Sequence, residues 1–321
     1  MRILITGGAG FIGSVATNYF IERNIEVNVL DNLVNGSERY LPKKCNFFLG
    51  DIRNEIQLEK SAEKCDAILH LAGLALVAES NEMKAEYFDV NLNGTAKVLE
   101  VARKKGISKL IFSSTCSVYG EHHSKSISES DKCFPINPYA ESKLLAEKLL
   151  MNWCEEVGNQ AYVFRFFNVS GAFESREFGL IGERRNVETH LIPNLSKHKF
   201  KKVNVFGSDY PTPDGTAIRD YIHVEDLCAA FELALKKVNL DGFQVFNLGN
   251  GRGHSVLEII RIFEEITAEL ITFEMLPRRL GDPAVLVADI QKANSILGWQ
   301  AKKSIEETIK SNLYFTRANF T

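Results

Sequence analysis

Short apolar runs alternate with amphipathic segments along the first half of the chain, and this alternation predicts an α/β fold. The run Ile3-Leu4-Ile5 is apolar throughout, as expected for a strand buried on both faces of a parallel sheet. A helix with Val15, Tyr19 and Phe20 on one face follows it. We therefore predict a Rossmann-type doubly wound parallel sheet, with strands at 3–5, 27–30, 45–49, 67–73, 109–112, 161–166 and, rejoining the sheet late in the chain, 243–248.

Residues that favour helix ends mark several boundaries. Pro138 suits a first helical turn, Gly106 suits a helix end, and Ser255 with Glu258 forms a capping box. The later predicted helices span 54–64, 83–105, 138–157, 190–198, 225–236, 255–268 and 304–316. The composition changes after Asn168, so we expect two domains. A nucleotide-binding domain covers 1–168 with a return segment at about 219–250, and a smaller α/β C-terminal substrate domain covers about 169–218 plus 251–321.

Three glycines at a spacing of three join the first strand to the first helix. Gly7 permits a sharp turn, Gly10 removes a Cβ that would strike a bound phosphate, and Gly13 lets the helix pack close to the strand. The N–H groups at the start of that helix suit a pyrophosphate. The layout of strand, glycine turn and helix predicts a dinucleotide site, whereas a glycine triplet alone is common in loops.

Two aspartates follow the next strands. Asp31 lies about 20 residues after the glycines, where a carboxylate binds the ribose hydroxyls of an adenosine. Its charge would repel a 2′-phosphate, so the pattern favours NAD over NADP. The alternative is a surface turn after an ordinary core strand. For Asp51 we leave two interpretations open, an acceptor for the adenine amino group or a simple β-turn residue.

Hydroxyl-bearing residues and a Tyr-x-x-x-Lys pair suggest acid–base chemistry. The run 113–119 follows a predicted strand, at the edge where doubly wound sheets bind ligands. Tyr139 and Lys143 lie one helical turn apart, so the ammonium would lower the pKa of the phenol and make Tyr139 a general base. We interpret His70, inside an apolar run, as a packed and hydrogen-bonded residue, and Cys116 as a packing residue without an adjacent base.

The composition of the chain argues against several classes of binding partner. The chain has 321 residues, 45% of them hydrophobic, and a net charge of −3, which offers no basic field for nucleic acid or an anionic membrane. No apolar run approaches the ~20 residues of a membrane span, and the chain opens on a strand rather than a signal peptide. The six cysteines are scattered without a Cys-x-x-Cys pair, so we expect reduced thiols in the cytoplasm and no metal site.

Together these motifs resemble the extended short-chain dehydrogenase/reductases and, among them, the UDP-glucose 4-epimerase family, over nearly the whole chain. Residues 6–13 match the family's cofactor loop, and the turns at 31–33 and 50–53 match its ribose and adenine turns. Residues 139–143 match its catalytic helix, and the runs 209–216 and 219–224 are typical of these epimerases. The resemblance implies an isomerase that uses bound NAD to interconvert UDP-galactose and UDP-glucose through a 4-keto intermediate.

The resemblance also implies roles for individual residues. Tyr139 would take the proton of the sugar 4-OH, Thr115 would hydrogen-bond the same oxygen, and Lys143 would hold the nicotinamide ribose. The implied cofactor residues are Gly7, Gly10, Phe11, Ile12, Gly13, Asp31, Asn32, Asp51, Ile52, Leu71, Ala72, Gly73, Asn91, Ser113, Tyr139, Lys143 and Phe167. The implied substrate residues are Thr115, Asn168, His190, Leu191, Phe206, Arg219, Tyr221, Arg279, Asp282 and Leu286.

Four positions depart from the pattern of the best-known members. Ala75 replaces a lysine and Val90 an asparagine on the cofactor side, and His190 replaces an asparagine near the sugar. Leu286 is smaller than the tyrosine of enzymes restricted to UDP-glucose and UDP-galactose, which favours entry of N-acetylated sugars. The resemblance further implies a homodimer in which the helices at 83–105 and 138–157 pair into a four-helix bundle.

Other functions on this fold remain as alternatives. A 4-epimerase of UDP-GlcNAc/GalNAc, UDP-glucuronate or a UDP-pentose would share these motifs. A nucleotide-sugar dehydratase normally has an Asp-Glu pair directly after the catalytic threonine, and Cys116-Ser117 occupy those positions here. A non-catalytic NAD-binding protein would have no need to combine Thr115, Tyr139 and Lys143.

Overall fold

A computed structural model of the protein describes residues 1–122, 126–156, 158–184, 189–197, 202–237, 242–279 and 282–320. Its strands, in chain order, are β1 (Arg2–Thr6), β2 (Glu26–Asp31), β3 (Asn46–Leu49), β4 (Ala67–His70), β5 (Lys109–Thr115), β6 (Gln160–Phe166), β7 (Asn168–Ser170), β8 (Ala172–Ser175), β9 (Gly179–Gly182), β10 (Val203–Phe206), β11 (Ile218–His223), β12 (Gly242–Leu248), β13 (Gly253–Ser255), β14 (Phe273–Leu276) and β15 (Val285–Leu286). Its helices are α1 (Phe11–Ile21), α2 (Glu55–Ser61), α3 (Val77–Glu82), α4 (Lys84–Phe88), α5 (Gly94–Lys105), α6 (Pro138–Trp153), α7 (Leu191–Ser196), α8 (Val224–Lys236), α9 (Val256–Thr267) and α10 (Ile305–Phe320).

In the described part of the chain, parallel strands form a central sheet in the order β12-β6-β5-β4-β1-β2-β3. Side chains of β1 alternate between its faces, so that Ile3 and Ile5 pack with α1 and α8, while Leu4 packs with α2, α5 and α6. Helices on both faces explain why β1 is apolar at consecutive positions. The predicted doubly wound sheet is confirmed, including the late strand, which pairs with β6 as β12.

Capping geometry confirms several predicted helix ends. Asn137 caps α6 with its side chain, and Pro138 occupies the first turn. Gly106 ends α5 in the left-handed conformation, at φ +69°. Ser255 and Glu258 form the predicted capping box of α9. The ends predicted at 157 and 198 lie outside the described residues, and α6 and α7 themselves end at 153 and 196.

The long helix predicted at 83–105 is present from 84 to 105, but it is not α-helical throughout. It consists of α4, a π-helical turn at Asp89–Asn93 and α5, and a non-helical Met83 separates it from α3. The π turn carries the buried Asn91, whose Oδ1 accepts from the Leu74 N–H at 2.9 Å and whose Nδ2 donates to the Leu74 carbonyl at 3.0 Å. A contact with a distant loop therefore accompanies the interruption, as is common for π turns near functional sites.

Beyond β6 the chain forms a second group of short strands. β11 pairs with β7, β13 and β15, and β10 pairs with β14. The helices α7, α9 and α10 share a separate core with β10 and β11 that includes Val205, Tyr221 and Phe263. The hairpin β8–β9 packs instead with α1, because Phe173 and Ile181 belong to the core of the central sheet. Part of the predicted substrate domain therefore packs against the nucleotide-binding layer.

Candidate active site

The residues predicted to bind the cofactor gather along one edge of the central sheet. Parallel strands all end on the same side of a sheet, and β1 to β6 each end at or lead into a segment that carries some of these residues. In chain order they are Gly7 and residues 10–13, Asp31 and Asn32, Asp51 and Ile52, residues 71–73, Ser113 and Phe167, with Asn91, Tyr139 and Lys143 added from helical segments.

The glycine loop is shaped by close backbone approaches. Gly7 has φ +71°, and a Cβ there would lie 2.6 Å from the backbone nitrogen of Ala72. A Cβ on Gly13 would lie 2.0 Å from the Gly7 carbonyl oxygen. The turn and packing roles predicted for these two glycines are therefore supported. For Gly10 the nearest atom to a Cβ is the same carbonyl oxygen at 3.4 Å, so the protein's own packing does not require glycine there.

Asp31 ends β2 and holds the glycine loop by hydrogen bonds. Its carboxylate accepts from the N–H groups of Ala9 at 2.9 Å and Leu33 at 2.8 Å. Burial raises the pKa of this carboxyl, while the backbone N–H groups of Leu33, Ala9 and Gly10 oppose that shift. A carboxylate held in this way has a fixed position at the end of the strand, as the predicted ribose contact requires. That contact stays a prediction.

Asp51 lies in a polar group at the end of β3. Its hydrogen bonds with Arg53 lower the pKa of the carboxyl to about 2, so it is ionised at neutral pH. Asn32 donates to it at 3.1 Å, and the Arg53 N–H donates to it across the turn at 2.9 Å. The turn role predicted for Asp51 is therefore present. The alternative role, as an acceptor for adenine, stays a prediction.

Lys143, on α6, extends to the hydroxyl-bearing residues of β5. Its side chain is buried, its Nζ donates to the Ser113 carbonyl at 2.9 Å, and it lies 4.9 Å from the centroid of Phe112. Burial lowers the pKa of the ammonium to about 8. Thr115 ends the same strand, and its Oγ1 accepts from the Ser117 N–H at 3.1 Å. The bond from Lys143 to Ser113, two residues before Thr115, therefore brings the ammonium to the end of β5 that carries Thr115.

Tyr139 lies in the first turn of α6, one turn before Lys143. Its ring meets that of Tyr87 edge to face, with centroids 6.3 Å apart. Tyr87 is itself held by its hydroxyl, which donates to the Leu76 carbonyl at 2.7 Å. These contacts give the Tyr139 ring a defined orientation at the start of the helix.

His70 and Cys116 are packing residues, as predicted. His70 is hydrogen-bonded to the hydroxyls of Thr6 at 2.7 Å and Thr95 at 3.0 Å, and burial lowers its pKa to about 3. Burial raises the pKa of the Cys116 thiol to about 12, so it is a poor acid or base at neutral pH. The position after Thr115 is therefore unsuited to the acid–base chemistry of dehydration.

Four of the predicted substrate residues meet across the small sheet of β7, β11 and β15. Asn168 pairs in register with Tyr221, and Arg219 pairs in register with Leu286. Arg219 also forms a salt bridge with Asp282, which lies in the segment before β15. Strand β7 begins two residues after β6 ends, so this sheet continues the edge where the central strands end.

The remaining predicted substrate residues lie on the segments around this sheet. The Arg279 guanidinium lies over the Phe206 ring, 3.9 Å from its centroid, and the Asp282 N–H donates to the Arg279 carbonyl at 3.2 Å. His190 and Leu191 begin α7, and His190 Nδ1 lies 2.8 Å from a buried carboxylate oxygen of Glu183. Leu191 packs against the core that contains Tyr221.

One buried apolar cluster connects the end of β5 with the small sheet that carries the predicted substrate residues. Cys116, which follows Thr115, packs in the same cluster as Phe167 and Leu286. Arg219 is close enough to Cys116 for its charge to act on the thiol. The hydroxyl-bearing end of β5 and the arginine-bearing strand β11 are therefore neighbours.

The sequence-based prediction missed a charged pair behind this site, Glu147 on α6 and Arg165 on β6. Both side chains are buried. Glu147 lies four residues after Lys143, on a helix face that also carries Ala140 and Leu150. A carboxylate one turn after Lys143, on the helix face that also carries apolar residues, is a signal that the sequence alone contains.

The described residues contain neither a cluster of three or more His, Cys, Asp or Glu side chains that could hold a metal ion nor a helix able to cross a bilayer. All six cysteines are unpaired.

Comparison with known proteins adds evidence for the family. The model of the NAD dependent epimerase/dehydratase family matches residues 3–249. A UDP-glucose 4-epimerase of Halalkalibacterium halodurans is 42% identical over 316 residues, which cover 96% of this chain and 93% of that protein. A bifunctional UDP-glucose 4-epimerase and UDP-xylose 4-epimerase of Pisum sativum is 38% identical, covering 99% of this chain and 96% of that protein.

A solved structure shows the same fold over the whole length. A UDP-glucose 4-epimerase of Bifidobacterium longum, in complex with NAD+ and UDP, aligns with a TM-score of 0.92 at 34% identity, covering 99% of each chain. The resemblance predicted from the motifs is confirmed by both sequence and fold. This chain belongs to the NAD-dependent epimerase/dehydratase family.

Proposed function

We propose that the protein is a UDP-glucose 4-epimerase, an NAD-dependent isomerase that interconverts UDP-galactose and UDP-glucose. Thr115 and Lys143 lie at the end of β5, and Arg219 with Asp282 lies on the adjoining small sheet. The first pair suits proton transfer, and the second suits a charged nucleotide-sugar. Relatives that carry this activity in their names match almost the full chain.

The glycine loop and Asp31 fit NAD. Gly10 lies at the start of α1, where packing inside the protein leaves room for a Cβ, so glycine there suits a group that approaches from outside. The fixed carboxylate of Asp31 offers acceptors for ribose hydroxyls and disfavours a 2′-phosphate. When bound, NAD accepts the hydride from C4 of the sugar and returns it.

The protein's own residues would move a proton at the sugar 4-OH. Tyr139, as a phenolate, takes this proton and later returns it to the same oxygen. Lys143 favours the phenolate because its positive charge lies within one helical turn. Thr115 accepts a bond from Ser117, which leaves its hydroxyl hydrogen to donate toward the sugar oxygen. Because the keto sugar would turn between removal and return of the hydride, the configuration at C4 would be inverted.

The arginines would hold the diphosphate while the 4-keto sugar turns. Arg219 and Arg279 supply planar donors suited to phosphate oxygens, and Asn168 lies on the neighbouring strand β7. We expect Phe206 to pack near the uracil and Asp282 to bind the uridine ribose. Binding energy from this remote part of the substrate keeps the intermediate in place during rotation.

The buried apolar cluster that contains Cys116, Phe167 and Leu286 carries the proposal, because it connects the segments that bear the proton-transfer and nucleotide-sugar residues. The test is turnover of UDP-galactose to UDP-glucose by the purified protein, first without and then with added NAD. Conversion supports the proposal. Dependence on added NAD would point to weak cofactor binding, with Ala75 the first position to examine. No conversion under either condition contradicts the proposed substrate pair.

A second candidate is 4-epimerisation of N-acetylated UDP-sugars. Leu286 supports it, since its side chain is smaller than a tyrosine and packs beside Phe167 at the junction of the two halves. Leu286→Tyr should reduce kcat/KM for UDP-GalNAc and leave the value for UDP-galactose nearly unchanged. Equal use of UDP-GalNAc by the variant and the wild type would rule out this role for Leu286.

We further propose that the protein is a cytoplasmic homodimer with a nucleotide-binding and a substrate domain. The division follows the prediction except that the hairpin β8–β9 packs with the nucleotide-binding layer and β11 belongs to the small sheet. Unpaired cysteines are typical of a reducing compartment. Met151 on α6 is 47% exposed, and such a side chain suits a helix-pairing surface. Sedimentation of the wild type and Met151→Glu at several concentrations tests the dimer: a wild type that is a monomer at every concentration contradicts it.

A further inference from the structure

A buried network of polar side chains lies next to the proposed catalytic residues. Glu147 and Arg165 form a two-point ion pair, with Nε 3.1 Å from Oε1 and Nη2 2.6 Å from Oε2. Their side chains are 4% and 7% exposed. Ser114 donates to the same carboxylate, and Arg165 donates to the Tyr119 hydroxyl at 2.9 Å.

Each member of the network lies on a segment that carries a proposed catalytic residue or adjoins one. Ser114 precedes Thr115 on β5, and Tyr119 ends the 3-10 turn that follows Thr115. Glu147 lies one turn after Lys143 on α6. The Arg165 guanidinium on β6 bonds Glu147 and Tyr119, and the Glu147 carboxylate in turn bonds Ser114. The strand, the turn and the helix are therefore tied together by one ion pair.

The network is anchored at its far end as well. The Tyr119 hydroxyl donates to Asn247 Oδ1 at 2.7 Å, and Asn247 Nδ2 donates to the Ile127 carbonyl at 2.8 Å. The Asn247 N–H donates to Glu129 at 2.7 Å. A buried polar network whose members all have partners is rigid, because any displacement breaks a hydrogen bond in a medium of low dielectric.

Stability alone does not explain this pair. Moving two charges out of water is costly, and apolar residues of similar volume in such positions are often equally stable or more stable. The ion pair contributes what apolar side chains lack, which is directional bonds to three separate segments. Because the ion pair lies beside Thr115 and Lys143, we infer that it keeps those residues aligned.

We propose that the Glu147–Arg165 pair positions Thr115, Tyr139 and Lys143 for proton transfer, and that the Glu147 carboxylate supports the ammonium of Lys143. This inference rests on the proposed function. Glu147 and Arg165 are positioning residues that act through their neighbours, and neither needs to touch the substrate.

The pKa of Lys143 depends on the charged groups that face its ammonium. Burial lowers its pKa to about 8, and the negative charge of Glu147 opposes that shift. From β4, His70 also faces the ammonium, but burial keeps its own pKa at about 3, so it is neutral. Removal of the Glu147 charge should therefore lower the pKa of Lys143 further, and its protonated form should be lost at a lower pH.

Other ionisable groups face the ion pair. Burial raises the pKa of both the Cys133 thiol, on the loop before α6, and the Tyr119 phenol, so both are neutral at pH 7. Lys292 lies near Arg165 and Glu129, and burial lowers its pKa. Tyr139, one turn before Lys143 on α6, is the phenol on which the ammonium acts. Glu147 is the carboxylate whose charge raises the pKa of Lys143, so the pH response of Lys143 should follow Glu147.

Two variants distinguish the effect of the Glu147 charge from the effect of the hydrogen bonds that hold the catalytic residues in position. Glu147→Gln keeps a side chain that can hydrogen-bond but removes the charge, and the double variant Glu147→Leu/Arg165→Met keeps the volume but removes every polar contact. The matched controls are Glu156→Gln and Arg103→Met/Glu156→Leu, because Arg103 and Glu156 also form an arginine–glutamate pair but are 53% and 46% exposed. All five holoenzymes, the wild type included, are compared by thermal unfolding and by kcat and KM for UDP-galactose across pH.

For Glu147→Gln we expect the alkaline limb of the kcat profile to move to lower pH with KM unchanged. For the double variant we expect an unfolding midpoint close to that of the wild type. Its kcat should fall about 10–100-fold, because misplacing catalytic groups by about 1 Å has effects of that size. The controls should behave as the wild type. A folded double variant with wild-type kcat and pH profile overturns the proposal, as does an equal shift in Glu156→Gln.

A measurement that does not depend on turnover distinguishes failure of this inference from failure of the proposed function. The Lys143 Nζ is titrated by 15N NMR, with the signal assigned from Lys143→Met. Deprotonation at lower pH in Glu147→Gln, and at the wild-type pH in Glu156→Gln, supports the proposal. Identical titration in all three proteins overturns it, whether or not the wild type converts UDP-galactose. Absence of that conversion in the wild type would instead refute the proposed function.

Discussion

Replacement of Lys143 by Met should change how the stability of the fold depends on pH. Burial lowers the pKa of the ammonium from 10.5 to about 8. A tenfold change in proton affinity is worth about 1.4 kcal/mol. The buried charge therefore lowers the free energy of unfolding at pH 7 by about 3 kcal/mol, relative to the same lysine when neutral. Methionine has a similar length and no charge, so Lys143→Met removes this contribution.

The dependence of stability on pH follows from the protonation of Lys143 in the folded and the unfolded chain. Above pH 10.5 the lysine is neutral in both the folded and the unfolded chain, so its protonation adds no penalty. As the pH falls from 10.5 to about 8, the unfolded chain binds a proton that the folded chain does not, so stability decreases. Below about 8 the penalty is complete. The variant lacks this dependence, although it loses the hydrogen bond to the Ser113 carbonyl at every pH.

Urea unfolding of the wild type and Lys143→Met at about pH 7 and about pH 10.5 measures the effect. The stability of the variant relative to the wild type should be greater at the lower pH by about 3 kcal/mol. Lys104→Met is the control, because Lys104 is an exposed residue in an ion pair with Glu55. A difference between wild type and Lys143→Met that is the same at both pH values would refute the assignment of a buried, destabilised ammonium.

Three further predictions concern the glycine loop, Asp31 and Tyr139. Gly13→Ala puts a Cβ 2.0 Å from the Gly7 carbonyl oxygen, so urea unfolding should show a loss of about 1–3 kcal/mol. Gly10→Ala should unfold like the wild type and lose NAD in equilibrium dialysis, and equal stability of these two variants would contradict the packing argument. Asp31→Asn should lower the ratio of NAD to NADP affinity about tenfold, or about 1.4 kcal/mol, and an unchanged ratio excludes the ribose role. Tyr139→Phe should lower kcat about 10²–10⁴-fold with calorimetric binding of UDP unchanged, whereas full turnover would exclude Tyr139 as the base.

The cofactor side of the site could be predicted from the sequence because its signals are local. The turn at Gly7, with φ +71°, and the close packing of Gly13 on Gly7 involve residues of one loop. Tyr139 and Lys143 share a helix face through their spacing alone. Their burial, and the effect of that burial on the pKa of Lys143, required the packed structure.

The substrate side depended on resemblance, because its residues come from distant segments. Arg219 meets Asp282 across 63 positions of the chain, and Leu286 lies beside Arg219 only through the register of β11 and β15. Strands of two or three residues, such as β15 and β7, are too short to show an alternating pattern. The sequence pattern of these segments therefore gave no position for their side chains.

The sequence by itself determined the order of the central strands along the chain, the glycine turn, the C-terminal end of α5 and the N-terminal ends of α6 and α9, because propensity, capping and hydrophobic period act over a few residues. Tertiary structure decided where distant polar groups meet. Asn91 bonds the loop at Leu74 from within a π turn, and Glu147 pairs with Arg165 beside Lys143. A buried polar side chain needs a partner, and the partner can lie anywhere in the chain that folding brings within hydrogen-bonding distance.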